Sequence, residues 1–309
     1  MESAVLRNRF EDVAFTTAVP FSEDAETVRH DALAANLADL YDAGARLFVP
    51  CGNTGEYDAL TDSERISIVE THVEATGDDA VVVAGAGGSI GEVTSLAAAY
   101  EDAGADAVMV MHPTHTYINE SALADYYREI CAQVDIGVVI YKRSPEITRD
   151  VLLELAAREE VVAVKFAVDD VREFAQTVED GPADVTWVNG IAERYALPFA
   201  IEGATGYTTG IGNFVPEATL ALFDALEAGE FERAREIRRL LRPLEDLRAA
   251  PGLGNTLPAG NNVPVVKYGQ ELAGAAGGPV RPPLRSLSPA AQRRVEECYE
   301  RIDAATFER

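Results

Sequence analysis

Eight short runs of β-branched and apolar residues punctuate this chain: Val13–Val19, Arg46–Gly52, Ala80–Ala86, Ala107–His112, Ile136–Tyr141, Val161–Ala167, Val185–Gly190 and Gly206–Ile211. Successive starts lie about 20–35 residues apart, the length of one strand–helix unit. Amphipathic stretches fill the gaps, among them Val28–Ala43, Asp62–Thr76, Val93–Ala103, Ser121–Val134 and Thr148–Arg158. Two of these end in a similar phrase, Asp42-Ala43-Gly44-Ala45 and Asp102-Ala103-Gly104-Ala105, where a glycine stops a helix before a parallel strand. Eight alternating units predict an α/β chain folded as a (β/α)8 TIM barrel. An open doubly wound sheet is the alternative. It would show fewer strands and a glycine-rich first turn, which is missing here.

After the eighth run the pattern changes. Glu217–Gly229, Phe231–Ala249, Val263–Ala273 and Ser288–Ala304 read as helices, and the Pro/Gly/Asn-rich stretch 251–264 separates two of them. Residues 1–216 are expected to form the barrel. Residues 217–309 are expected to form a helical region packed on it or on a neighbouring subunit.

Lysine is nearly absent, which makes each one informative. Lys142, Lys165 and Lys267 are three among 26 basic residues. Lys165 sits near the end of the apolar run Val161–Ala167, where an amine would be desolvated. A desolvated lysine sheds its proton and attacks carbonyls; an arginine does neither. Lys142 is the rival amine. It adjoins Tyr141, and alternation along a strand sends the two to opposite faces. Lys267 falls in the helical region, where a solvated or ion-paired role is expected.

A net charge of −26 opposes nucleic acid and anionic membranes as partners. Acid-rich, lysine-poor composition reads as halophilic, because salt screens the self-repulsion. No apolar run reaches transmembrane length and residues 1–20 show no signal pattern, so a cytoplasmic protein is expected. The three cysteines are far apart, and no histidine pair is spaced for a metal on one helix. No metal is expected.

In a (β/α)8 barrel the chemistry lies at the C-terminal strand ends. Strand two ends in Gly52-Asn53-Thr54-Gly55-Glu56. This loop suits capture of a small carboxylate by converging N–H groups and the Asn53 and Thr54 side chains, with Gly55 between. It reads equally as a tight turn with Asn53 or Thr54 capping a helix. Strand four leads to His112 and His115, with His115 a candidate substrate contact. Strand five ends in Tyr141-Lys142-Arg143, with Tyr141 a candidate proton shuttle. Asn189, Thr208, Thr209 and Arg143 are candidate contacts for substrate hydroxyls or a distal carboxylate.

Taken in order, these residues resemble the dihydrodipicolinate synthase/N-acetylneuraminate lyase family of class I aldolases. The resemblance runs from Thr17-Ala18-Val19-Pro20-Phe21, through the Gly52–Glu56 loop, Tyr141 and Lys165, to Val266-Lys267 and Val280-Arg281-Pro282-Pro283-Leu284. It implies a lysine imine with pyruvate or another 2-oxo acid, no cofactor, and a homotetramer or homodimer. By position Lys165 is the imine lysine, Tyr141 the relay tyrosine, and Thr54 with its loop the carboxylate holder. Three positions depart from the synthase members. Asn53 replaces the first of two threonines. Thr114 and His115 stand where a relay tyrosine is expected, with Tyr117 further on. Glu146 stands where an arginine holds the aldehyde, though Arg143 is close by. The loop sequence and Thr208-Thr209 look closer to the branch containing 5-dehydro-4-deoxyglucarate dehydratase and 2-keto-3-deoxy sugar acid aldolases. The expected activity is therefore a Schiff-base lyase, an aldolase or dehydratase, acting on a 2-keto-3-deoxy sugar acid. The alternatives are 4-hydroxy-tetrahydrodipicolinate synthase, which joins pyruvate to aspartate semialdehyde, and a non-catalytic 2-oxo-acid-binding barrel.

Overall fold

Strands too apolar to face water on either side must be covered on both, and the chain achieves this by closing its sheet. The computed structural model describes residues 3–307. Its strands are β1 (Val13–Phe15), β2 (Leu47–Phe48), β3 (Val81–Ala86), β4 (Ala107–Val110), β5 (Gly137–Lys142), β6 (Val161–Phe166), β7 (Thr186–Asn189) and β8 (Gly206–Thr209). All neighbours are parallel, and β8 returns to pair with β1, so the sheet is a closed barrel in chain order. The (β/α)8 expectation holds.

Around it lie α1 (Ser3–Arg9), α2 (His30–Asp42), α3 (Asp62–Ala75), α4 (Ile90–Asp102), α5 (Glu120–Cys131), α6 (Arg149–Ala156), α7 (Val171–Asp180) and α8 (Ala196–Ile201). Then follow α9 (Pro216–Glu227), α10 (Phe231–Ala249), α11 (Asn262–Leu272) and α12 (Pro289–Asp303). α10 packs along α9, α11 and α12 and also touches α8. Reciprocal capping boxes start α3 (Thr61 with Glu64) and α4 (Ser89 with Glu92), satisfying N–H groups that would otherwise be orphaned. None of the helices in the described residues is long and apolar enough to cross a membrane.

Alternation along the strands builds two apolar layers. Leu47, Val83, Met109 and Val139 fill the barrel, whose base is plugged by Leu6 and Phe10. Phe48, Val82, Ile140 and Phe166 point outward and pack under the helices. The first two strands are shorter than their apolar runs. Residues 17–21 are buried but lie outside the barrel ladder, and β2 ends before Pro50, which lacks an N–H, and Cys51, whose φ is 56°. Burial without strand pairing looks the same in sequence as a strand.

Candidate active site

Lys165 belongs to the inward-facing set of β6, two residues beyond Ala163, and is paired in register with Tyr141 of β5. Its residue exposure is 7%. Gly190, just past β7, makes room for its stem, since a Cβ there would lie 2.9 Å from Lys165 Cγ. Among the described residues no carboxylate pairs with the amine, and its nitrogen lies 4.4 Å from the Tyr141 ring centre. Burial, with Arg143 and Arg248 adding like charge, brings its pKa down from 10.5 to about 7. A large share of this amine is therefore unprotonated near neutral pH.

Tyr141 is buried, which raises its pKa and keeps the phenol protonated. Asn53 donates from Nδ2 to the phenolic oxygen at 3.0 Å, leaving the phenol's own proton free to be given elsewhere. Next to it, Thr16 donates to the carbonyl of Thr209 at 2.6 Å, and its oxygen lies 3.0 Å from the Thr54 hydroxyl. Among the described residues, neither the Thr54 nor the Gly55 backbone N–H donates to a protein acceptor. Two adjacent unspent N–H groups suit an anionic ligand.

The loop is held from behind. Glu56 adopts a left-handed conformation (φ 56°), and its carboxylate is buried. It pairs with Lys267 Nζ at 2.6 Å and accepts the Arg281 N–H at 2.8 Å. Lys267 and Arg281 each sit 4.1 Å from the centre of the Phe21 ring. Arg281 also binds both oxygens of Glu64. Segments far apart in sequence, around residues 21, 56, 267 and 281, thus form one latch. Lys142, as alternation requires, points away from Tyr141's side, pairing with Glu173 at 2.9 Å.

A cavity of about 530 Å3 opens over these groups. Of the sequence candidates, Asn53, Thr54, Tyr141, Arg143, Lys165 and Thr208 line it. The others lie outside its lining. Gly55 packs beneath the loop, where a Cβ would stand 3.0 Å from the Thr17 carbonyl. Asn189 spends its amide on its own turn, donating to Ala192 O and accepting from Ile191 N–H. The buried Thr209 hydroxyl bonds to Glu193 and to the Gly212 N–H. His115 is exposed and bonded within its loop to Tyr117. Glu146 accepts from Ser144 and sits 2.7 Å from His112, away from the lining.

Other lining residues carry no local signal in the sequence. Thr16 could have been found by reading the end of strand one as the other strand ends were read. Arg248, Glu245 and Asn262 could not, because they come from α10 and α11 and reach the barrel mouth only through the tertiary fold. Arg248 pairs with Glu245 at 2.7 Å and donates to Asn262 at 3.0 Å. Behind them Glu193 is fully buried, and burial together with the Glu245 carboxylate pushes its pKa up. Four arginines and four carboxylates line the cavity, whereas the whole chain has 52 acidic residues to 26 basic. An anionic substrate is not repelled from this opening as it is from the surface at large. Among the described residues no group of three His, Cys, Asp or Glu side chains could hold a metal ion.

The dihydrodipicolinate synthetase family pattern matches residues 9–302. The chain belongs to this family. Members are class I lyases that work through a covalent lysine imine and need no cofactor, and the chain is a lyase of this type. It is 32% identical to 4-hydroxy-tetrahydrodipicolinate synthase of Methanospirillum hungatei, over 95% of this chain and 100% of that protein. It is 31% identical to a probable 5-dehydro-4-deoxyglucarate dehydratase of Saccharopolyspora erythraea, over 80% of this chain and 79% of that one. Its fold superposes on dihydrodipicolinate synthase of Oceanobacillus iheyensis with a TM-score of 0.92, at 33% identity, covering 98% of this chain and 100% of that chain.

Proposed function

We propose that Lys165 attacks the C2 carbonyl of pyruvate or a closely related 2-oxo acid. The carrying observation is a buried amine with no counter-ion among the described residues, brought to a pKa of about 7, beside a protonated tyrosine. Tyr141 gives a proton to the carbinolamine oxygen as it leaves as water, and Asn53 orients the phenol. Thr54 and the N–H groups of its loop hold the substrate carboxylate. The iminium withdraws electrons from C3, so a C3 proton is lost to give an enamine, or the C3–C4 bond is cleaved.

For the second half of the reaction, the relatives named 4-hydroxy-tetrahydrodipicolinate synthase favour that activity, with aspartate semialdehyde as acceptor. Arg143, exposed at the cavity mouth, is the cation on hand for that aldehyde's carboxylate. A second reading, a 2-keto-3-deoxy sugar acid aldolase or dehydratase, is favoured by Glu146, which stands where the resemblance calls for an arginine, and by Asn53. The reading includes a homodimer or homotetramer and a high-salt setting, supported by the resemblance and by the net charge of −26. Sedimentation across salt concentrations tests both.

Borohydride reduction in the presence of pyruvate, followed by peptide mapping, tests the first half. The expected result is a reduced adduct on Lys165; an adduct only on another lysine overturns the assignment. Incubation with pyruvate and aspartate semialdehyde, against a panel of 2-keto-3-deoxy sugar acids, decides the second half.

A further inference from the structure

Two buried charged side chains of the cavity wall come from a helix beyond the barrel. Glu245 and Arg248 come from α10, with residue exposures of 7% and 6%. Gly210, just past β8, is where Arg248 fits: a Cβ there would lie 2.3 Å from its Nη2. Asn262 of α11 fixes the guanidinium from the other side. We propose that this ion pair is a positioning device, which sets the net charge facing the Lys165 amine and hence the pH range in which that amine attacks. The inference rests on Lys165 as the imine-forming lysine.

The argument is Coulombic. Charges removed from water act on one another through a lower effective dielectric and are poorly screened by salt. Arg143 adds like charge to Lys165 ahead of Arg248, but it is exposed, and salt screens an exposed charge more than a buried one. The remaining charged groups of the lining are solvated or committed. Asp58 and Asp169 are exposed, and Arg194 pairs with Asp246. Glu56 is bound to Lys267, and Arg281 to Glu64. Tyr141 stays protonated, and Glu193, on the β7–α8 side, holds Thr209. Arg248 and its partner Glu245 are thus the two buried, opposite charges that α10 brings to the cavity holding the amine.

Their removal has opposite consequences. Without Arg248, the Glu245 carboxylate faces the site uncompensated and stabilises the ammonium form, so attack requires higher pH. Without the Glu245 charge, Arg248 is uncompensated and attack extends to lower pH. Glu193 would ionise in Glu245's place, so the second variant is E193Q/E245Q.

The experiment follows the rate of borohydride-trapped pyruvate adduct on Lys165 from about pH 5.5 to about pH 9.5. For Arg248→Met the midpoint is expected to rise by about one pH unit, a roughly tenfold slower rate at acid pH with recovery at alkaline pH. For E193Q/E245Q the midpoint is expected to fall. Arg248→Lys should keep the wild-type midpoint. Coincident midpoints, or shifts of the same sign in the two charge-removing variants, overturn the inference, because a merely structural pair would slow both without opposing shifts. Should Arg248→Met not fold, the direction of the E193Q/E245Q shift decides. A wild-type protein that forms no adduct on Lys165 overturns the imine reading itself, and the inference with it.

Discussion

Lys165 and Lys267 are buried to a similar degree, at 7% and 2% exposure, yet they stand in opposite circumstances. In the latch, Lys267 has the Glu56 carboxylate at 2.6 Å and the Pro279 carbonyl as acceptor. Burial lowers its pKa, and Glu56 pulls it back up. In the cavity, Lys165 has no such partner, and the cations near it push in the same direction as burial. Lys142, with Glu173, follows the latch pattern. Desolvation alone therefore does not make a nucleophile of a lysine. Among the described residues Lys165 lacks a carboxylate partner, whereas the other two lysines each have one.

Substitution at the two positions should separate chemistry from stability. Lys165→Met is expected to lower turnover by about 10^4-fold or more and to abolish the borohydride adduct. The same variant should melt at a higher temperature than wild type at pH 7. Between pH 7 and 10.5 the unfolded chain binds the Lys165 proton more tightly than the folded one, so that advantage shrinks as pH rises through this window. Calorimetry across pH checks the trend. Lys267→Met leaves Glu56 buried without its cation and should cost about 3–5 kcal/mol in denaturant unfolding. A loss confined to activity would break the distinction drawn here. Tyr141→Phe keeps the packing and removes the proton, with an expected loss of about 10^2 to 10^3-fold in turnover. In the wild type, adduct formation should fall about tenfold per pH unit well below pH 7, as the Lys165 amine protonates. Asn53→Ala should have the smallest effect, about 1 kcal/mol or several-fold in turnover, since one hydrogen bond to Tyr141 is lost.

The barrel was legible because its periodicity is local. Eight apolar runs at unit spacing mark eight strands, and Phe231–Ala249 reads as one helix with the same ends in the structure despite Pro243. What spacing missed were weak or short elements: α7, with only Phe174 and Thr177 buried, and the six-residue α8. Within the site, alternation sorted Tyr141 from Lys142. It could not show that Asn189 and Thr209 spend their polar groups on the turns that hold them, or that His115 points to solvent. Counter-ions were the least legible of all. Glu56 and Lys267 are 211 positions apart, and Arg248 reaches the cavity from a helix that follows the whole barrel. Pairings of this kind are decided by tertiary packing, on which a local pattern carries no information.

The latch has a consequence for the order in which the protein becomes competent during synthesis. All eight strands have been made once residue 209 is added. The Gly52–Glu56 loop still lacks Lys267 and Arg281, so its buried glutamate has neither its cation nor its N–H donor. A nascent chain at that length would hold Lys165 beside a Gly52–Glu56 loop that is not yet latched. Emergence of Lys267 and then of Arg281 locks the loop. If Lys165 forms the proposed imine, its amine is thereby kept from holding substrate until both latch residues have been made.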